Sequence, residues 1–190
     1  MAQARASGRG RGGHLALIGS AGLRPALERI VLWWALAGGV GLLAIVAATA
    51  FNVGAFGLDK LLRPFGGEVT AFPGYEDFVR LVISAAALML FPYCQWRRGH
   101  VAVDLLVDRM PRPVQRAIDA IALLGMAVLA LFLLYWMSIG MIETRDDHAI
   151  SRVLGWPEWP FYLPGLVSLA LWALVAAVQT REALSRRPAR

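Results

Sequence analysis

The sequence predicts an all-α membrane protein with four transmembrane helices and a cytoplasmic interfacial helix between the second and the third. Of its 190 residues, 58% are hydrophobic and only 17% are charged. Soluble domains are closer to about half apolar and about a quarter charged. The apolar residues also gather in four runs, and a helix needs about 20 such residues to cross a bilayer.

The four runs predict one helix each. Their bounds are residues 30–51, 78–96, 117–142 and 161–180. The first run contains no charged residue. The third corresponds to about 39 Å of helix, which is longer than the hydrocarbon layer, so this helix must tilt or protrude.

Tryptophans and small residues mark the first predicted span. Trp33 and Trp34 stand near its start, where indole rings favour the headgroup layer. Three pairs of small residues lie four apart, namely Ala35/Gly39, Ala37/Gly41 and Ala44/Ala48. They suit a close helix–helix contact. Small residues are also common in spans, and the sequence leaves both interpretations open.

The segments outside the spans are predicted from composition. Residues 1–27, rich in glycine and arginine, are expected to form a disordered basic cytoplasmic arm. The membrane domain covers residues 28–182, and a basic cytoplasmic tail follows at 183–190. Residues 52–75 are rich in glycine and proline and predict a loop. Residues 143–159 predict a polar loop.

The connector after the second span predicts the interfacial helix. Its apolar residues fall on one stripe, at i, i+3, i+4 and i+7: Val103, Leu106, Val107 and Met110. Its polar residues flank that stripe: Arg97, Arg98, His100 and Asp104. The arginines suit anionic headgroups, and the histidine lies four residues before the aspartate, at pairing distance on a helix. Such a helix lies in the membrane surface rather than across it.

Charge sets the expected topology. Arginines number five in the N-terminal arm, five around the central connector and four in the tail. The two other loops carry four basic residues against eight acids. By the positive-inside rule, both termini and the connector are cytoplasmic, which agrees with an even number of spans.

Ionisable and aromatic residues at the span ends are candidate partner contacts. Glu76 and Asp77 precede Arg80 by four and three residues, so an ion-paired cluster is expected at the membrane surface. A polar contact from the arginine to a partner helix is the alternative. Trp156 and Trp159 flank a rigid proline and are expected to anchor in the interface, with Pro160 in the first turn of the fourth helix.

The sequence offers no chemistry of its own. None of the three histidines lies in a span, so haem held between helices is excluded, and no residue cluster suits a metal. The arginines stand beside apolar runs, which argues against nucleic acid. Cys94 has no partner cysteine and is expected to pack within a span. Mid-membrane carboxylates are missing as well. We therefore expect a non-enzymatic subunit without cofactor or metal that needs a partner.

Several motifs follow one another in a familiar order. They are Glu76-Asp77 with Arg80, Phe91-Pro92-Tyr93, Arg97-Arg98-Gly99-His100-Val101, Val103-Asp104, Met110-Pro111, Thr144-Arg145 and Val153 to Trp159. Their order and the four-span topology resemble the small membrane subunit of TRAP (tripartite ATP-independent periplasmic) transporters, the DctQ-like family. The resemblance covers residues 28–182. The arginine–glycine arm and the glycine-rich first loop depart from the family pattern.

The resemblance implies a scaffold role in the bacterial inner membrane. A periplasmic solute-binding protein delivers an organic acid, and the large TRAP membrane subunit carries it across with sodium. The small subunit packs beside the large one among membrane lipids. Two alternatives stay open: a small homodimeric exporter, and a membrane anchor of a respiratory enzyme. The exporter requires an acid in the first span, and the anchor requires intramembrane histidines.

Overall fold

Four long helices form most of the part of the chain that the structure describes. The structure, a computed structural model, describes residues 11–97 and 111–185. Its helices are α1 (Arg11–Leu62), α2 (Tyr75–Trp96), α3 (Arg112–Asp146) and α4 (Tyr162–Ser185). Two 3-10 turns accompany them, at Arg63–Phe65 and Trp159–Phe161. Each long helix contains a stretch apolar and long enough to cross a membrane, which confirms the predicted four-span, all-α class.

The predicted interfacial helix lies outside the described residues. Its candidate site residues are Arg98, His100, Val103, Asp104 and Leu106, all of which fall between residues 97 and 111. The first ten residues of the arm and the last five of the tail lie outside as well. The connector helix therefore stays a prediction.

Helix α1 is much longer than predicted. It begins at Arg11, inside the arm that was expected to be disordered, and continues to Leu62, inside the expected loop. Those two expectations were wrong for 11–27 and 52–62. Two glycines in the second segment, Gly54 and Gly57, cost a helix only about 1 kcal/mol each. At 1.5 Å per residue its 52 residues extend about 78 Å, so α1 projects well beyond the hydrocarbon layer.

The third and fourth helices also differ from their predicted ends. Helix α3 continues to Asp146, so the loop predicted from 143 begins four residues later. Inside its last turns, the Thr144 hydroxyl donates to the Gly140 carbonyl at 2.7 Å. Pro160 lies in the 3-10 turn that leads into α4 rather than in the helix itself.

The helices are arranged as a row in the order α1, α2, α4, α3. Helix α2 contacts α1 and α4, and α4 contacts α2 and α3. Helix α1 also reaches α4 through Leu27 and Val31, which pack on Val175. Helix α3 is the last member of the row, so one of its faces has no neighbour within the described chain.

The two tryptophans of the first span point in different directions. Trp33 is 71% exposed, as an interface anchor requires. Trp34 instead turns inward, and its Nε1 donates to Ser168 Oγ at 2.8 Å. The expectation that both rings lie in the headgroup layer was therefore wrong for Trp34. Its ring links α1 to α4.

Helices α1 and α2 approach most closely at two glycines of α1. A Cβ on Gly38 would lie 2.7 Å from Met89 Cβ and 2.8 Å from the Ala86 carbonyl oxygen. A Cβ on Gly41 would lie 3.2 Å from Ala86 Cβ. A Cβ on Gly39 would meet nothing within 4 Å. Close contact through small residues is thus present: it uses the predicted Gly41 together with Gly38, and the predicted Gly39 takes no part.

We expect Gly38→Ala to destabilise the protein by about 1–3 kcal/mol, because the new methyl group overlaps the backbone of α2. Gly39→Ala is the matched control. It adds the same methyl group in open space and should be neutral or stabilising by up to about 1 kcal/mol. Thermal unfolding in detergent measures both. Equal unfolding temperatures for the two variants would contradict the close contact.

Candidate functional site

The predicted site residues lie at opposite ends of the bundle. Arg97 ends α2 at the end we call the arginine-rich end, together with Arg24 and Arg181. The other candidates gather at the opposite end, which we call the acidic end: Glu76, Asp77, Arg80, Trp156 and Trp159. The structure thus brings five of the candidates together and separates them from Arg97.

The loop between α3 and α4 folds back on itself at the acidic end. The Ser151 amide donates to the Trp156 carbonyl at 2.8 Å, and the Glu158 amide donates to the Ala149 carbonyl at 3.0 Å. The turn passes through Gly155, whose φ of 66° is readily adopted by glycine. These bonds make residues 149–158 a compact unit.

Asp77 attaches that loop to the first turn of α2. Its Oδ2 accepts hydrogen bonds from the amides of Val153 at 2.6 Å and Leu154 at 3.2 Å. Three residues earlier, Gly74 has a φ of 82°, and a Cβ there would lie 2.8 Å from Leu154 Cδ2. The loop therefore lies directly on the backbone that precedes α2.

The expected ion-paired cluster is not formed. Ion pairs form elsewhere in the described chain, between Arg24 and Glu182 and between Arg63 and Asp59. The prediction of an Asp77–Arg80 ion pair was wrong; the Asp77 carboxylate instead accepts hydrogen bonds from the Val153 and Leu154 amides. Arg80 is exposed, and so is Glu76, which accepts a bond from the Tyr75 hydroxyl at 3.3 Å.

Trp156 and Trp159 are held by contacts at the same end. The Trp156 ring stacks on Phe161 with centroids 6.3 Å apart and planes 6° apart. The guanidinium of Arg145 lies 5.4 Å from the centroid of the Trp159 ring. Both contacts orient the rings beside the compact loop.

Two polar residues of α1 organise the first loop, and the sequence analysis missed both. Asn52 Oδ1 accepts from the Phe72 amide at 2.9 Å, and Asp59 Oδ1 accepts from the Val69 amide at 3.1 Å. They are seven residues apart, so two turns of helix place them on one face. That spacing, next to a glycine-rich segment, was the available signal.

An apolar cavity of about 400 Å³ opens between α1 and the two loops. Its walls are almost entirely hydrocarbon: Ala44, Ala48, Phe72, Phe78, Leu154 and Trp156. Such a lining suits an aliphatic group. It offers no charged side chain to hold an organic acid or an ion.

The arginine-rich end has a polar cavity of about 460 Å³, whose lining includes Arg24, Trp96 and Glu182. The Arg24 side chain pairs with Glu182 at 2.8 Å and stands 5.9 Å from the Trp96 ring centroid. Because Arg24 is 56% exposed, the pair adds little to stability. The opposite charges of Arg24 and Glu182 in this cavity therefore neutralise each other within the chain.

A buried amide network inside the bundle was also missed. Gln95 Nε2 donates to Gln179 Oε1 at 2.9 Å, and Gln179 Nε2 donates to the Gln95 carbonyl at 3.0 Å. Trp172 Nε1 donates to Gln95 Oε1 at 3.3 Å. Single glutamines in apolar runs gave no pattern to detect. The neighbouring Cys94 lies within the second span, as expected, but its side chain is exposed rather than packed.

We expect Asp77→Ala to speed tryptic cleavage after Arg152, in the compact loop, by about tenfold. Losing the acceptor of two loop amides costs about 1–3 kcal/mol, and each 1.4 kcal/mol changes the open population tenfold. Glu76→Ala, which removes an exposed carboxylate one residue away, should leave the cleavage rate unchanged. Mass spectrometry of timed digests in detergent gives the rates. Equal rates for both variants would show that Asp77 does not hold the loop.

A comparison with known protein families matches residues 58–186 to the family described as "Tripartite ATP-independent periplasmic transporters, DctQ component". Searches among curated proteins and among solved structures found no match. The matched segment begins in the last turns of α1 and contains all of α2, α3 and α4, which is more than half of the chain. The chain therefore belongs to the DctQ family, the small permease component of TRAP transporters.

Proposed function

We propose that this TRAP small permease subunit is a scaffold. It packs beside the large membrane subunit and supports the part of that subunit that stays fixed during transport. The large subunit carries an organic acid with sodium, and a periplasmic solute-binding protein delivers the acid. Membership in the DctQ family supports this assignment over the homodimeric exporter and the respiratory anchor.

The observation that carries the scaffold proposal is the use of polar groups between the membrane helices. Gln95 and Gln179 bond to each other, and Trp34 bonds to Ser168. A transport path is normally lined by polar or ionisable groups that are free to meet the solute. Here these groups join helices, which favours a fixed structural part.

The buried carboxylates support the same proposal. Asp59 and Asp77, each 9% exposed, lie at the acidic end of the bundle rather than midway along a helix. Both accept hydrogen bonds from loop amides. Their chemistry is therefore used to fix loops, and it does not provide a relay for protons or sodium ions.

We further propose that the arginine-rich end is cytoplasmic and the acidic end periplasmic, with both termini in the cytoplasm. Arg24, Arg97 and Arg181 share the first end, as the positive-inside rule requires. Helix α2 ends and α3 begins at that end. The proposed interfacial helix, with Arg98, His100, Val103, Asp104 and Leu106, would therefore lie on the cytoplasmic surface. This orientation fits a bacterial inner membrane protein.

The exposed groups of the acidic end remain candidate partner contacts. Glu76 and Arg80 are exposed, and Trp156 is 46% exposed beside the compact loop. In the proposed orientation they face the periplasm, the side from which the solute-binding protein arrives. The bonds of Asp77 give this surface a fixed shape.

Reporter fusions test the orientation. We expect fusions at Thr70 and Ile150 to report a periplasmic location and a fusion after Arg190 to report the cytoplasm. The reason is the excess of arginine at one end of the bundle. A periplasmic signal from the C-terminal fusion would overturn the topology.

Reconstitution tests whether the small subunit can transport without the large subunit. In proteoliposomes with a sodium gradient, this chain alone should take up no organic acid above the level of empty liposomes. Together with its cognate large subunit and binding protein it should support uptake. The expectation rests on the polar side chains between the described helices, Gln95 with Gln179 and Trp34 with Ser168, which bond to one another. Uptake by the small subunit alone would refute the scaffold proposal.

A further inference from the structure

An aromatic cluster stands on the outer face of α3. Phe132, Tyr135 and Trp136 are 57%, 62% and 56% exposed. Trp136 contacts both other rings edge to face, with centroids 6.3 Å from Phe132 and 5.8 Å from Tyr135. The spacing of three and four residues places all three on one helix face. We call this set the α3 aromatic cluster.

The α3 aromatic cluster lies deep within the membrane. Helix α3 has no charged residue between Asp119 and Glu143, so the middle of the hydrocarbon falls near residue 131. At 1.5 Å per residue, Tyr135 is about 6 Å from that middle, within a half-thickness of about 15 Å. Helical side chains lean toward the helix N-terminus, which directs the Tyr135 hydroxyl back toward the centre. Tyrosine and tryptophan usually occupy the two surfaces instead.

Two hydrogen-bond donors of this cluster have no acceptor among the described residues, namely the Tyr135 hydroxyl and Trp136 Nε1. Two other indoles, which turn inward between the helices, do have one. Trp34 donates to Ser168, and Trp172 donates to Gln95. Lipid chains provide no acceptor at this depth, so a donor exposed there is unfavourable unless a protein covers it.

The outer face of α1 differs from the α3 aromatic cluster in the chemistry of its exposed side chains. Apart from Trp33 toward the arginine-rich end, it presents Leu36, Val40 and Leu43, which are 50%, 66% and 69% exposed. These side chains have no polar atom and are compatible with lipid. The outer face of α1 between Leu36 and Leu43 is therefore suited to lipid, whereas the outer face of α3 needs two acceptors.

We propose that the α3 aromatic cluster is the surface on which the large membrane subunit packs. A helix of that subunit supplies the acceptor, a backbone carbonyl or a hydroxyl or amide oxygen near mid-membrane. The cluster suits this role because α3 ends the row, and because its rings already hold one another in place. Tyrosine and tryptophan are also enriched in the energetic centres of protein interfaces. This inference rests on the proposed scaffold function.

Photocrosslinking in native membranes locates the surface. A benzoylphenylalanine replaces Tyr135 in one variant and Leu43 on α1 in a matched variant, each coexpressed with the large subunit. We expect the Tyr135 position to crosslink to the large subunit and the Leu43 position to give no such product. Crosslinks from Tyr135 to a second copy of this chain, or to lipid alone, would overturn the proposal.

Copurification measures the contribution of the cluster. The double variant Tyr135→Ala/Trp136→Ala should recover the large subunit about tenfold less well, as expected for loss of interface centres. The double variant Leu36→Ala/Leu43→Ala shortens two exposed apolar side chains of α1 and should recover the large subunit normally. The reverse pattern would place the interface on α1. It would leave the scaffold function intact and refute the proposal that the large subunit packs on the α3 aromatic cluster. If the unaltered chain does not copurify at all, the scaffold function itself fails.

Discussion

Backbone and amide groups inside a membrane must find their partners within the protein, and this requirement governs the whole bundle. Gln95 and Gln179 show it most directly. Each is nearly fully buried, and each meets the polar groups of the other at the contact of α2 with α4. Sliding one helix past the other would break several of these bonds at once. The pair therefore fixes the register of the two central helices, on which α1 and α3 pack.

The same requirement explains the acidic end. Loops that lie against the membrane surface carry amides that neither a helix nor bulk water fully satisfies. The chain supplies carboxylate and amide oxygens from its helices: Asn52 and Asp59 for the first loop, and Asp77 for the second. Asp77, which its spacing to Arg80 assigned to a surface ion pair, thus becomes an acceptor for backbone amides. The result is a shaped, fixed end rather than two loose connections.

Hydropathy predicted the number of spans because burial in lipid depends on summed apolar surface, which is visible along the chain. It could not predict where α1 ends, because a helix continues into water wherever its bonds and side-chain partners permit. Asn52 and Asp59 supply such partners beyond the span. The family resemblance rested on motif order, and residues 58–186 confirm it.

The direction in which each side chain points from its helix is the property that the sequence predicted least well. Trp33 and Trp34 are adjacent, yet one faces outward and the other bonds to Ser168. Small residues recur around α1, and only the docking of α2 selects Gly38 over Gly39. Asp77 has an arginine three residues away, but its partners lie about 76 residues further along the chain. Long-range contacts of this kind leave no local pattern.

In a membrane, the exposure of an apolar side chain says little about its partner, because lipid and protein satisfy it almost equally. The exposure of a hydrogen-bond donor is different, since only protein or water can satisfy it at depth. An exposed tyrosine or tryptophan deep in a span therefore indicates a protein partner, which hydropathy scales do not detect. Trp34 and Trp172 serve the interior of this subunit. Tyr135 and Trp136 are also polar aromatic residues but are exposed on α3, one of the two helices at the ends of the row. A subunit whose role is to support a neighbour needs such a face, and the internal bonds of the other three helices leave α3 to provide it.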